Sequence, residues 1–206
     1  MFLMRVALPD RPGSLGAVAS IVGTVGGDIH AVEVVGRQDG YAIDDFMLAL
    51  PPGTMPDELV SACTALEDVR VLWFSRYPEG EGLEADIETL ERMTAAPDTA
   101  PEILAGAAPS VFHCEWALLA DRSESVVRYA TEMAPDLTAE TLQLLGPFDD
   151  IGTRELLEGW LPDWGEAVVA VAPVRDNLAL IVGRQGGPSF LPSELARIRH
   201  LAAMAG

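Results

Sequence analysis

The residues best placed to do chemistry form one short run, Pro9-Asp10-Arg11-Pro12-Gly13-Ser14-Leu15, between an apolar stretch and a helical periodicity. Pro12 sets the turn, and Gly13 lets another group approach the backbone with no Cβ in the way. The spacing predicts that the unpaired N–H groups of a first helical turn, near Gly13, Ser14 and Leu15, face this loop. A helix N-terminus of that kind suits a small carboxylate or phosphate. An ordinary strand-to-helix turn would show the same spacing, and the residues alone leave both readings open.

The remaining constellations are weaker. Asp44 and Asp45 are neighbours on an expected strand and so point to opposite faces, which disfavours a shared acid–base pair. Asp149-Asp150 reads as a turn in preference to a cation site, since no regular oxygen-ligand spacing follows. His113-Cys114 lacks the further His, Cys or acidic partners at ligand spacing that a metal centre needs. Gly23-x-x-Gly26-Gly27 and Gly183-x-x-Gly186-Gly187 do not fit the dinucleotide-binding glycine pattern. No metal or cofactor is expected.

Composition narrows the field further. The chain has 206 residues and a formal charge of −19, from 32 acids against 13 basic residues. Every basic residue is Arg, which excludes Schiff-base and phosphate-loop lysine mechanisms. The acidic balance argues against a nucleic-acid backbone or an anionic membrane surface as partner. No apolar stretch approaches the roughly 20 residues of a membrane span. The first residues lack the basic start of a signal peptide, and Cys63 and Cys114 stand far apart without a CxxC, so a reducing cytoplasm is expected.

The elements that must position the loop follow from periodicity. Residues 1–77 read as strand–helix–strand–strand–helix–strand. Phe2 to Leu8 is an apolar run; Leu15, Val18, Val22 and Val25 share a helix face; Gly26-Gly27 stops it. Ile29–Val35 and Tyr41–Leu50 form a hairpin around Gly36–Gly40. Thr54-x-x-Asp57 looks like a capping box for a helix carrying Leu59, Cys63 and Leu66, and Val69–Phe74 is the last strand. This order implies a βαββαβ sandwich with two helices on one face of a mainly antiparallel sheet.

Residues 78–109 change character. Glu79 to Glu102 carries eight acids and one Arg, with Leu83, Ile87 and Leu90 as a narrow stripe. A solvated linker helix and a dimer-forming helix are both consistent with it, and Pro97, Pro101 and Pro109 are expected to break its continuation. Residues 110–206 read as a second α+β unit: a strand over Val111–Leu119, a helix over Ser123–Met133, irregular chain over 136–165, strands Ala167–Pro173 and Leu178–Val182 around the turn 174–177, and a terminal helix opened by Phe190-Leu-Pro-Ser193.

The stretch Val6-Ala-Leu-Pro-Asp10-Arg-Pro-Gly-Ser-Leu15, closed by Gly26-Gly-Asp28-Ile29, resembles an ACT domain, and the βαββαβ order agrees. The resemblance implies a ferredoxin-like fold and a homodimer. It also implies that a free amino acid binds between the first loop of one copy and the second strand's start of another. Carried over to this chain, the site is Asp10, Pro12, Gly13, Ser14 and Leu15, with Asp28, Ile29 and His30 from the partner copy. Helix N–H groups would take the ligand carboxylate and an acid its ammonium. Where this chain has Asp28, many ligand-binding members have Asn; a second carboxylate favours the ammonium end and repels a misplaced carboxylate, and Asp28 also fits a plain turn. The C-terminal pattern, Ala170-Val-Ala-Pro-Val174, Leu178–Gly183, Phe190 and the last helix, resembles a GAF-like domain. That implies a small-molecule pocket or a regulatory dimer module, with Trp160 and Trp164 either lining the pocket or packing under a loop.

The expectation is a non-enzymatic, cytoplasmic, amino-acid-responsive regulator. It has an ACT-like domain over 1–77, an acidic linker over 78–109 and a GAF-like domain over 110–206. The alternatives are a ligand-free dimerisation module with a protein partner, or an enzyme using residues 136–165.

Overall fold

Alternating and continuous apolar runs, each cut by Gly, Pro or Asp turns, build an α+β chain of two units, Met1–Glu79 and Gly80–Gly206. The computed structural model describes residues 1–76, 83–175 and 177–206. The expected first boundary at 77, the start of the acidic segment and Asp176 of the 174–177 turn lie outside the described residues. No helix among the described residues is long and apolar enough to cross a membrane.

The first unit comprises β1 (Phe2–Pro9), α1 (Ser14–Thr24), β2 (Asp28–Gln38), β3 (Tyr41–Ala49), α2 (Pro56–Thr64) and β4 (Arg70–Arg76). Its sheet has the order β2-β3-β1-β4, with all three pairings antiparallel. Because side chains alternate along a strand, Met4, Val6 and Leu8 of β1 and Phe46 and Leu48 of β3 share one face. There they meet Val18 and Val22 of α1 and Leu59 and Cys63 of α2. Full burial of such a side chain contributes about 1.5–3 kcal/mol. Leu15 departs from the predicted stripe: it is 42% exposed, while Val18 and Val22 are fully buried. The expected capping box at Thr54 is also absent. Met55 is the N-cap with no side-chain bond, and Pro56 begins the helix, its missing N–H costing nothing there.

On the opposite face of the same sheet, Arg5 of β1 meets its cross-strand partner Asp45 of β3. Both side chains are buried, with Nε–Oδ1 and Nη2–Oδ2 each at 2.7 Å. The Trp73 ring centre lies 6.0 Å from the Arg5 guanidinium carbon.

The second unit begins with α3 (Leu83–Ala95), a 3₁₀ turn (Pro97–Thr99) and α4 (Ala100–Val111). Then come β5 (Trp116–Asp121), β6 (Val126–Ala130), α5 (Ala139–Leu144), β7 (Gly152–Leu156), β8 (Ala167–Arg175), β9 (Leu178–Gln185) and α6 (Pro192–Ala205). Its antiparallel sheet runs β6-β5-β9-β8-β7. β8 and β9 are buried on both faces, which explains their unbroken apolar sequence. Val168, Ala170, Ala172, Leu180 and Val182 face α4 and α6, while Val169, Val171 and Ile181 face Leu142, Leu145 and the Trp160–Trp164 segment.

Three expectations fail in this unit. Residues 100–109, expected at the end of the 78–109 linker, belong to the second unit's core: Leu104, Ala105 and Ala108 of α4 are fully buried there, and Met93 of α3 joins them. Pro101 sits in the first turn, where its missing N–H costs nothing, whereas Pro109 lies inside the helix and forgoes the bond to the Ala105 carbonyl, yet α4 runs on to Val111 because its apolar side is buried. The buried side of α3 runs through Thr89 and Met93, while Ile87 is half exposed. The predicted helix over 123–133 is instead strand β6; Val126 and Val127, read as one helix side, alternate between faces in a hairpin with β5. The irregular stretch 136–165 contains α5 and β7.

One arginine ties the layers together. Arg184 of β9 is 0% exposed, and its Nε and Nη2 donate to the His113 and Phe112 carbonyls just past the end of α4, at 2.9 and 3.0 Å. Beside it, Trp116 lies on Gly183, where a Cβ would stand 2.1 Å from the indole ring.

Candidate functional site

The loop predicted to do chemistry takes the expected form at its centre. Gly13 is the N-cap of α1 at φ 96°, in the left-handed region that favours glycine. A Cβ there would point into open space. The first backbone bond of α1 runs from Ala17 N–H to the Gly13 carbonyl at 3.0 Å. Leu15 and Gly16 therefore have N–H groups with no intrahelical acceptor. Ser14 is different: its N–H donates to the Arg11 carbonyl at 3.3 Å, so it is not the open donor that the spacing predicts.

Pro9, Arg11, Pro12, Gly13 and Ser14 form one wall of a cleft of about 310 Å³ within the first unit, and Leu66, Glu67 and Val69 form another. Arg11 and Glu67 were missed in the sequence. Glu67 stands in the turn after α2, and only the packing of α2 beside α1 brings it opposite Gly13. The cleft thus offers the Arg11 guanidinium and the Glu67 carboxylate, the complement of a zwitterion's two ends, while Leu15 and Gly16, with their open N–H groups, lie outside its lining.

Asp10 is not part of that lining. Its N–H donates to the Gly40 carbonyl at 2.9 Å, and its carboxylate lies 3.1 Å from Nε of Arg37 on β2. Asp28, Ile29 and His30 lie at the other end of the sheet. Ile29 pairs with Leu48 beside Phe2, whereas Pro9 pairs with Tyr41 beside Gln38. A single chain cannot bring these residues to Gly13. Asp28 and His30 are exposed and 3.9 Å apart, and Ile29 packs against the core.

Asp44 and Asp45 occupy opposite faces, as alternation requires. Asp45 is held by Arg5, whereas Asp44, 2% exposed on the helix-bearing face, has a buried Oδ1 with no hydrogen-bond partner. Burial raises the Asp44 carboxyl above its usual range; the nearby Arg37 lowers it, and Asp45 and Asp10 raise it further.

In the second unit, Trp164 packs edge to face against Trp116 and Trp160, with ring centres 6.3 and 6.1 Å away, and Trp160 Nε1 donates to the Gly165 carbonyl. A separate cleft of about 300 Å³ is lined by Glu155, Leu157, Glu166 and Gly186–Ser189. Asp149 receives Arg122 at 2.7 Å, and Asp150 accepts the Ile151 N–H. Cys114 donates weakly to the Ala108 carbonyl. Among the described residues, no three His, Cys, Asp or Glu side chains converge as a metal site would require.

No family model matches the chain, and neither does any curated protein. Solved structures with distant likeness to the chain include the following two. One is a protein of unknown function from Galdieria sulphuraria, 11% identical at a TM-score of 0.31, aligned over 88% of this chain and 79% of its own. The other is a formyltetrahydrofolate deformylase from Pseudomonas putida KT2440, 12% identical at a TM-score of 0.33, aligned over 100% and 93%. At these scores neither carries an argument about this chain.

Proposed function

We propose that the chain is a regulatory, non-catalytic protein whose ACT-like first unit binds a free amino acid, and whose GAF-like second unit relays or receives the response. The observation that supports this reading is the cleft at Gly13. Its left-handed backbone opens the approach, Arg11 presents a guanidinium to a carboxylate, and Glu67 offers a counter-charge for an ammonium. Asp28, Ile29 and His30 would complete the site from a second copy, since one chain holds them at the far end of the sheet. Buried, free cysteines accord with a reducing, cytoplasmic setting.

The test is a calorimetric and thermal-shift screen of the twenty amino acids. A ligand at a hundredfold its dissociation constant adds about 2.7 kcal/mol of stability by mass action. Silence in both measurements would sink the reading.

A second reading, an assembly module without a small ligand, draws on the edge strand β2. It is 11 residues long, with Val32 and Val34 exposed at 38% and 50%. Ultracentrifugation showing a dimer, combined with a silent amino-acid screen, would favour it.

A further inference from the structure

We propose that Asp10 and Asp44 compete for the single guanidinium of Arg37, so that the charge on a carboxyl buried in the sheet decides whether Asp10 is held or released. The consequence for ligand binding rests on the amino-acid reading above; the competition itself does not.

The argument begins with register. Arg37 on β2 pairs with Ala42 on β3, and Asp44 lies two residues further along β3 on the same face. Such diagonal neighbours are within reach of a long side chain. Asp10 approaches Arg37 from the other direction, its loop tied by its N–H to Gly40 in the β2–β3 turn. Three charged groups therefore share one corner, two acids and one base.

The two acids differ in what they gain. The Arg37–Asp10 pair is open to water, with side chains 66% and 45% exposed, and such pairs contribute little. Asp44 is almost wholly buried, and its Oδ1 receives no hydrogen bond. An ionised carboxylate in that position is costly without a partner, and its attraction for a cation is less screened than that of Asp10. Among the described residues, Arg37 is the cation that acts on Asp44. Val6 and Val34 flank Asp44 in register, Asp45 points to the opposite face, and α1, which supplies Val18 and Val22 to this core, carries no titratable side chain; α2 brings the Cys63 thiol to it, with the acids Asp57 and Glu58 in its first turn. Protonated, Asp44 leaves Arg37 to Asp10. Ionised, it draws Arg37 inward and releases the Asp10 carboxylate at the edge of the Gly13 loop.

A carboxyl-detected NMR titration of the whole chain, read together with the backbone amides of residues 10–14 and 40, tests this. The expected result is that these amides shift in two phases, one that follows the Asp10 carboxyl and a second that coincides with the Asp44 carboxyl. Asp44→Asn should remove the second phase. Arg37→Gln, at an exposed position that leaves the fold intact, should remove it too while Asp44 still titrates. Loop amides that follow Asp10 alone, or a second phase that survives Arg37→Gln, would overturn the proposal. The amino-acid screen run at pH values on either side of the Asp44 midpoint separates the two readings. Two-phase amides with no amino-acid heat would leave the competition standing and remove the sensor. Amino-acid heat with single-phase amides would do the reverse.

Discussion

Arg184 and Glu194 form a bidentate hinge between a strand and a helix start: Nη2 lies 2.6 Å from Oε1, while Oε2 of the same carboxylate accepts the Leu191 N–H at 2.7 Å and so caps α6. The guanidinium also stands 4.0 Å from the centre of the Phe190 ring. One buried cation thereby satisfies the carbonyls beyond one helix and orients the cap of another.

Replacing Arg184 by Met is expected to destabilise the second unit by about 3–5 kcal/mol, the usual cost of leaving a buried partner uncompensated. Urea unfolding followed by tryptophan fluorescence checks this. Glu194→Gln keeps the capping oxygen and removes only the charge, so it should cost less; equal losses would mean that the charge pair, not the cap or the bonds to the carbonyls, dominates.

Gly13→Ala should cost about 1–2 kcal/mol, because a residue with a Cβ is forced to hold φ near 96°. No contact adds to that cost, since the Cβ faces open space. If the cleft takes an amino acid, Gly13→Val should abolish the binding heat while circular dichroism stays native.

Asp44→Val tests the buried carboxyl through stability. The folded state holds this proton more tightly than the unfolded chain, so its contribution to stability is complete below the ordinary aspartate value of 3.8 and is lost as pH rises through the raised folded value. The variant lacks that loss. Its gain over the parent should therefore grow with pH, reaching about 1–3 kcal/mol at neutrality. Denaturation midpoints across pH 4 to 8 measure it, and a gain that shrank with pH would contradict the assignment.

Both thiols should resist alkylation in the native chain. Burial pushes Cys63 up to about 11 and Cys114 up to about 12, so little nucleophilic thiolate forms at pH 8. Iodoacetamide labelling read by mass spectrometry should show no native adduct and two after denaturation. Rapid native labelling of either cysteine would show that its core opens locally.

The first unit was legible because each of its signals is local. Phe2–Leu8, the hairpin around Gly36–Gly40 and the stop at Gly26-Gly27 each declare an element within a few residues, and their order leaves few arrangements of the sheet. Gly13 was legible for the same reason: a turn needing positive φ asks for glycine wherever it lies. The second unit was harder. Val126-Val127-Arg128-Tyr129 spans too few residues to separate a helical period from an alternating one, and its pairing with β5 decided the matter. Proline in 97–109 signalled a break, yet Pro101 stands in the first turn of α4, where the lost N–H is cheap, and burial of the helix's apolar side carries it past Pro109.

The sequence by itself determined the α+β character, the loop at Gly13 and the separation of Asp44 from Asp45, because backbone geometry sets these within short stretches. Only the tertiary structure decided which charges meet. Glu67 opposite Gly13, Arg37 on Asp10, Arg184 on Glu194 and the unpartnered oxygen of Asp44 all depend on register and packing between segments distant in the chain. Those contacts change the electrostatics of a carboxylate without leaving any local mark on the residues around it.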